Sequence, residues 1–285
     1  MSEHITQTDP ESEAYWKDFL LNGFLPFEQR YRRLFGKLPS DPRCKLCYAP
    51  FKGFGSSLVK TFFGKKQSNN NPTMCNVCED HMVEHLGGAE VEISMLFADV
   101  RGSTTLAERM SIAEFHSLID RFYQVSVRAL TDGGAFIDKL IGDEVSGGYA
   151  PGIAGPQHAR LAIQAAQQIL RATGHADPGG PWIPVGVGVH TGVAYVGTVG
   201  ASGGVVDITF LGDAPNLASR LASNAAAGEI LVSEEAWQAA QMDLKPVEER
   251  CLQVKGRTQP AQVQVLRLAI PANNQSEVGN SQPET

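Results

Sequence analysis

The chain has 285 residues, 42% of them hydrophobic, with 24 Lys and Arg against 31 Asp and Glu, a formal net charge of −7. That length fits one large domain, or a domain with a small module, around a real core. The acidic balance offers no basic field to recruit nucleic acid. No apolar run is long enough to span a bilayer, and the acidic N-terminus is unlike a secretory leader, so a cytoplasmic protein without membrane insertion is expected.

Residues 1–12 read as disordered. From 13 to 35 the pattern is amphipathic, with Trp16, Phe19, Leu20, Phe24, Phe27, Tyr31 and Leu34 on the apolar face. Pro26 should split it into two short helices. Arg30, Arg32 and Arg33 fall at the C-terminal end, where the helix dipole favours cations. The apolar face is short and Asp18 and Glu28 lie among the arginines, which argues for packing on the main domain or a partner copy rather than on a membrane.

Four of the five cysteines form two CxxC pairs, Cys44/Cys47 and Cys75/Cys78, separated by 27 residues. Each CxxC knuckle aims two thiolates at one point, so two knuckles make a tetrahedral four-thiolate site. In the cytoplasm this points to metal rather than disulfides. Zn2+ is the first reading; an iron–sulfur cluster and redox-active or idle thiols are the alternatives. The stretch between the knuckles reads as a loop rich in Gly, Lys and Asn, and its Lys60, Lys65 and Lys66 as a solvated patch. His81 and His85, four apart on a predicted helix, read as surface residues. That helix ends at Gly87-Gly88, the linker into the main domain.

Val91, Ile93, Met95 and Phe97 alternate with Glu92, Ser94, Leu96 and Ala98, the period of a strand. The strand ends on Asp99 and turns through Arg101-Gly102 into Ser103 and Thr104. Thr105 with Glu108 reads as a capping box. A carboxylate facing a glycine turn and a helix N-terminus suits a metal–phosphate site: Asp99 on a divalent cation, backbone N–H groups of Gly102, Ser103 and Thr104 on phosphate oxygens. A simple helix cap is the alternative. The span 112–130 predicts a helix with Phe115, Leu118, Ile119, Phe122 and Leu130 buried, stopped at Gly133-Gly134. A hairpin comes next, 135–141 and 144–149, with Asp143 at its tip. Helix 157–172, strands 182–189 and 192–199 joined by a turn at His190-Thr191-Gly192, strand 207–211, helix 213–223, strand 230–232, helix 234–241 and strands near 252–256 and 262–268 complete the pattern. Cys251 reads as buried and apolar, and the residues after about 270 as a disordered tail. The order is βαββαβ, an α+β fold with a ferredoxin-like core and an appended αβ segment.

Asp99 and Asp143, at a strand end and a hairpin tip, can hold two Mg2+ or Mn2+ ions. Lys139 and Asp143 lie four apart on a hairpin and need not share a site. Asn216 and Arg220 lie four apart on a helix and share a face, an amide and a guanidinium suited to a sugar or phosphate. Asp207 sits on the strand feeding that helix.

FADVRGST (97–104), KLIGDE (139–144), HTGVAYVGTVG (190–200) and VDITFLGDAPNLASRL (206–221) together resemble the catalytic domain of class III nucleotidyl cyclases. The resemblance covers about 90–268. It leaves 1–36 as a tail with amphipathic helices, 37–89 as a four-cysteine module with linker, and 269–285 as a tail. It implies a head-to-tail homodimer with two interfacial sites, each converting ATP to 3′,5′-cyclic AMP and pyrophosphate, and a downstream cyclic-nucleotide receptor. It implies Asp99 and Asp143 as the metal pair, Lys139 and Asp207 as readers of adenine, and Asn216 and Arg220 on the ribose and transition state. Metals and base-reading residues would come from opposite subunits. A lysine donor and a carboxylate acceptor suit adenine, and guanine inverts that pattern. The alternatives are a guanylate or pyrimidine-nucleotide cyclase, or a metal or redox sensor without turnover. Three positions depart from the family: Ile208 stands where tyrosine is common, Pro215 precedes Asn216, and Ser146-Gly147-Gly148 replaces apolar strand residues.

Overall fold

The structure is a computed structural model that describes residues 10–23, 26–38, 42–200, 206–243, 245–254 and 259–269. The predicted C-terminal tail from 270, the first nine residues and Phe24 lie outside the described residues, as does the side chain of Phe27.

The chain opens with α1 (Pro10–Asn22) and α2 (Pro26–Lys37), so Pro26 does divide the amphipathic stretch, and residues 10–12 are helical where disorder was expected. Then come α3 (Gly53–Phe63), α4 (Asn76–Glu84), β1 (Gly88–Val100), α5 (Ser103–Arg109), α6 (Ile112–Asp132), β2 (Phe136–Ile141) and β3 (Glu144–Tyr149). The second half holds α7 (Pro151–Ala154), α8 (His158–Ala172), β4 (Val185–Gly200), β5 (Val206–Leu211), α9 (Asp213–Asn224), β6 (Glu229–Ser233), α10 (Glu234–Ala240), β7 (Glu248–Leu252) and β8 (Ala261–Arg267). No helix among the described residues is long and apolar enough to cross a membrane.

One sheet runs in the order β2-β3-β1-β4-β6-β8-β7, with β5 paired to β4. Its β2-β3-β1-β4 part is the ferredoxin-like order expected from βαββαβ. β1 lies antiparallel to β3 and β4 and is covered on both faces. Leu96, Ala98 and Val100 pack with Ile119 and Phe122 of α6 and Ile169 of α8. Val91, Ile93, Met95 and Phe97 pack with Trp16, Phe19 and Leu20 of α1, Ala214 and Ala218 of α9, and the four knuckle cysteines. Each fully buried large side chain here contributes about 1.5–3 kcal/mol of transfer free energy, and α1 and the knuckles share this core with β1.

Several expectations are corrected. The two strands predicted for 182–199 are one continuous strand, β4, and His190-Thr191-Gly192 is not a turn. Ser94 pairs with Thr191 across the strands, and their hydroxyls lie 2.6 Å apart. The glycines of β4 serve helix packing: a Cβ on Gly188 would meet Ala222 N at 2.3 Å and Ala218 O at 2.4 Å, so only glycine admits α9 this close. The presumed loop between the knuckles contains α3, held by buried Val59 and closed by Gly64 in the left-handed region. The capping box lies at Ser111 and Glu114, before α6, not at Thr105 and Glu108, which are inside α5. The strand expected near 252–256 is β7, earlier in the chain. β7 is an edge strand, and its alternation leaves Cys251 exposed.

Candidate active site

The first group of predicted residues gathers where β1 leaves the sheet. Asp99 stands opposite Glu144 of β3, and Val100 N donates to Asp143 O at 3.1 Å, tying the hairpin tip to the strand end. Burial raises the pKa of Asp99; its ion pair with Arg101 opposes this, and the charge of Asp143 adds to it. Burial likewise raises Glu144, with Asp99 and Asp143 contributing and a hydrogen bond from Ser219 Oγ at 3.1 Å opposing. Three carboxylates thus share a negative field that a divalent cation would relieve. Glu144 was not singled out from the sequence, although its place beside Asp143 in KLIGDE was a usable signal. Arg101 also donates to Ser223 O at 2.7 Å, so α9 borders this end. Gly102, with φ of 68°, caps α5, and Ser103 and Thr104 form its first turn.

The second group lies over β2 and β5. Lys139 Nζ donates to Asp138 Oδ2 at 2.9 Å, Asp138 Oδ1 at 3.1 Å and Thr209 Oγ1 at 2.7 Å, while its side chain stays 46% exposed. The Asp138 carboxylate is buried and also accepts from Thr209 Oγ1 at 2.6 Å and Ser146 Oγ at 3.1 Å. Ser146, read as a departure from the family, is thus a donor to the carboxylate that anchors Lys139. Asp207, two residues before Thr209 on β5, accepts from Lys45 Nζ at 2.7 Å and from Ile208 N at 3.0 Å, both at Oδ1. Neither Asp138 nor Lys45 was anticipated.

The third group is the outer face of α9. Asn216 is exposed and Arg220 half-buried, while Leu217, Ala218, Leu221 and Ala222 bury the opposite face. Gly212 caps this helix. Pro215 is its third residue, where no intrahelical N–H bond is needed.

The four knuckle thiols are buried, and their sulfurs all lie within 4.8 Å of one another, Cys47 and Cys75 at 3.6 Å. Cys75 caps α4 by accepting from Cys78 N. Burial pushes the Cys44 thiol up, but hydrogen bonds from the other three more than reverse this and hold it well below the ordinary range. The Cys47 thiol is raised by its neighbours Cys44 and Cys75. Such crowding suits four thiolates around one cation. Lys65 is half-buried; burial lowers its pKa, and the nearby cysteines more than offset this and raise it.

Arg32 of α2, expected to serve the helix dipole, is instead buried. It donates to Leu46 O at 2.8 Å, Tyr48 Oη at 2.7 Å and Ala135 O at 2.8 Å, joining the first knuckle to the start of β2. Asn71 Nδ2 adds a bond to Val206 O of β5 at 2.9 Å. His81 and His85 are half-buried rather than on the surface: Tyr15 stacks on His85 at 4.0 Å and bonds His81 through its hydroxyl.

Residues 89–267 match the family model described as the adenylate and guanylate cyclase catalytic domain. An adenylate cyclase of Anabaena cylindrica is 34% identical over 133 residues, 45% of this chain and 26% of that protein. An adenylate cyclase of Mycobacterium bovis is 31% identical over 170 residues, 58% of this chain and 37% of that protein. The chain therefore spans well under half the length of these curated relatives. Among solved structures, the guanylyl cyclase Cya2 superposes with a TM-score of 0.59 at 23% identity, covering 66% of this chain and 98% of that one. The adenylyl cyclase CyaB from P. aeruginosa superposes with a TM-score of 0.54 at 28% identity, covering 64% and 97%. With the family model matching 179 of 285 residues, the chain belongs to the adenylate and guanylate cyclase catalytic domain family.

Proposed function

We propose that the chain is an adenylate cyclase that converts ATP to 3′,5′-cyclic AMP and pyrophosphate at sites shared by two copies of itself. The observation that carries the substrate choice is the pairing of a lysine donor and a carboxylate acceptor on β2 and β5. Lys139 is anchored by Asp138 and Thr209 yet half exposed, and Asp207 keeps Oδ2 without a partner among the described residues. A donor to adenine N1 beside an acceptor for the 6-amino group matches adenine, and guanine presents the inverse.

In this reading Asp99 and Asp143 would hold two Mg2+ or Mn2+ ions, which would supply Lewis acidity to the ribose 3′-hydroxyl and positive charge to the triphosphate. Glu144 adds negative field at the same end. The turn at Gly102, Ser103 and Thr104 offers backbone N–H groups to phosphate oxygens. Asn216 positions the ribose. Arg220 faces the charge that grows on the α-phosphoryl oxygens as the 3′-oxygen displaces pyrophosphate in line; removing such a donor costs about 10²–10³ in rate. The carboxylate end of one chain serves the base-reading end of its partner, so Lys139 and Asp143 work in different sites.

The four cysteines hold one Zn2+ in this proposal. A tetrahedral zinc with bonds of about 2.3 Å spaces its sulfurs about 3.8 Å apart, which fits sulfurs lying within 4.8 Å; iron and bridging sulfide between the thiolates would spread them further. The module packs on β1, β2 and β5, which supports a role in how the catalytic surface is presented. Cys44→Ser and Cys75→Ser variants with unchanged turnover and dimerisation would argue against that role.

Turnover of ATP, GTP, CTP and UTP with Mn2+, on protein of measured metal content, tests the reading. Cyclic AMP as main product, with one zinc per chain and no sulfide, supports it. Cyclic GMP as main product would transfer the assignment to a guanylate cyclase, and iron with sulfide would replace zinc by a cluster.

A further inference from the structure

Lys45 occupies the spacer of the first knuckle, between Cys44 and Leu46, yet its side chain leaves the thiols for the base-reading residues. An ammonium has three protons, and three acceptors surround this one: Asp207 Oδ1 at 2.7 Å, Asp138 O at 3.2 Å and Ile208 O at 3.2 Å. The side chain is 7% exposed, so these bonds form away from bulk water. The backbone is pinned as well. Lys45 N donates to Thr73 O at 2.9 Å, beside the second knuckle, and Ile137 N of β2 donates to Lys45 O at 3.2 Å.

The consequence falls on Asp207. Its side chain is 40% exposed, and a carboxylate so placed would ordinarily rotate about its terminal torsion. Here Oδ1 takes both Lys45 and the Ile208 N–H, which fixes the plane of the group and leaves Oδ2 as the one open acceptor. At 7% exposure the Lys45 ammonium is enclosed by these acceptors, whereas Lys139 is 46% exposed, so Lys45 acts through Asp207 rather than on the base. We propose that Lys45 is a positioning residue for base recognition: it sets the orientation of Asp207 Oδ2, and the four-cysteine knuckle that fixes its backbone thereby couples the metal site to nucleotide selectivity. The proposal rests on the reading of Asp207 as the base acceptor. Pre-setting an acceptor lowers the ordering cost of binding, and a base that mismatches a fixed acceptor is rejected more strongly than one meeting a rotating group.

The test compares wild type with Lys45→Met, which keeps the aliphatic stem and removes the ammonium. Steady-state kinetics with ATP and with GTP are measured beside zinc content and melting temperature. The expected result is an ATP KM raised roughly tenfold, the scale of one charge-assisted contact, with kcat changed less and the ATP-to-GTP ratio of kcat/KM lowered similarly. Zinc content should hold, and Lys45→Arg should recover part of the ratio. Lys45→Gln, which retains a donor, carries the same expectation at smaller amplitude should the Met variant fold poorly. An unchanged ratio and KM would overturn the proposal, as would an equal loss of kcat on both nucleotides accompanied by loss of zinc. Asp207→Ala separates the two layers. If it leaves nucleotide preference intact, the reading of Asp207 fails; if it alters preference while Lys45→Met does not, only the coupling fails. When both hold, the double variant should show no further loss of selectivity beyond Asp207→Ala.

Discussion

Asp138→Asn isolates the device that anchors Lys139. The carboxylate is 1% exposed and accepts from Lys139 Nζ at 2.9 Å, Thr209 Oγ1 at 2.6 Å and Ser146 Oγ at 3.1 Å. An amide of the same shape keeps one acceptor and gains two donors. Thr209 and Ser146 can rotate their hydroxyls to accept from the new N–H groups, but the Lys139 ammonium has only donors. The remaining oxygen can still accept from Lys139, which bonds both carboxylate oxygens at 2.9 and 3.1 Å, so the net loss is the charge of this pair and one of its two bonds. Breaking a fully buried pair costs about 3–5 kcal/mol and an exposed one less than about 1. Lys139 is 46% exposed, so screening brings the expected cost to about 2 kcal/mol. Urea denaturation should show a lower midpoint with an unchanged slope, because the surface exposed on unfolding is the same. The ATP KM should rise in parallel, since the freed lysine must be ordered by the nucleotide. A variant with the wild-type midpoint and the wild-type KM would refute the reasoning.

Gly148→Ala tests why glycine stands in β3. A Cβ there would sit 2.4 Å from Phe136 Cζ and 3.1 Å from Phe210 Cδ1, both buried rings, so overpacking should cost about 1–3 kcal/mol in thermal melts; an unchanged melt contradicts this. Glu229 should set part of the acid sensitivity. Burial pushes its pKa up, but Arg250 and Arg267, with the Ala226 N–H, hold it at about 2 against the usual 4.5. A depressed carboxylate stabilises above its unfolded pKa, and that stability is lost as pH falls from about 4.5 through 2. Glu229→Gln should therefore melt lower than wild type at pH 7 by about 3 kcal/mol, and the gap should close towards pH 2. A constant gap would show that the pairing is not what stabilises.

Much of the fold was legible because hydrophobic period and stop signals agree. α6 follows its apolar stripe to Gly133, and the hairpin around Gly142-Asp143 falls where alternation breaks. β4 was misread because its glycines look like turn formers, whereas Gly188 answers to a helix that the local sequence does not reveal. α3 was hidden by glycine and lysine, and its hold on the body comes from Val59 and from Gly55 against Leu38. At the candidate site, the pairing of Asp99 with Asp143 could be inferred from a strand end beside a hairpin tip. The supports could not. Lys45 lies 162 residues from Asp207 and Asp138 lies 71 from Thr209, so only the folded chain brings them together. Asp138 did leave a trace: a charged residue directly after Phe136 and Ile137, the two buried apolar residues that open β2.

The central claim is that each site takes its metals from one chain and its base-reading pair from another. Mixing Asp99→Asn, which should lose turnover, with Asp207→Ala, which should keep turnover but bind ATP weakly, tests it directly by the rate of cyclic AMP formation at low ATP. At equal amounts, half the dimers are mixed and one of their two sites holds intact residues from both partners, so about a quarter of wild-type activity should return. A mixture no more active than its parents, with subunit exchange verified, would contradict the account.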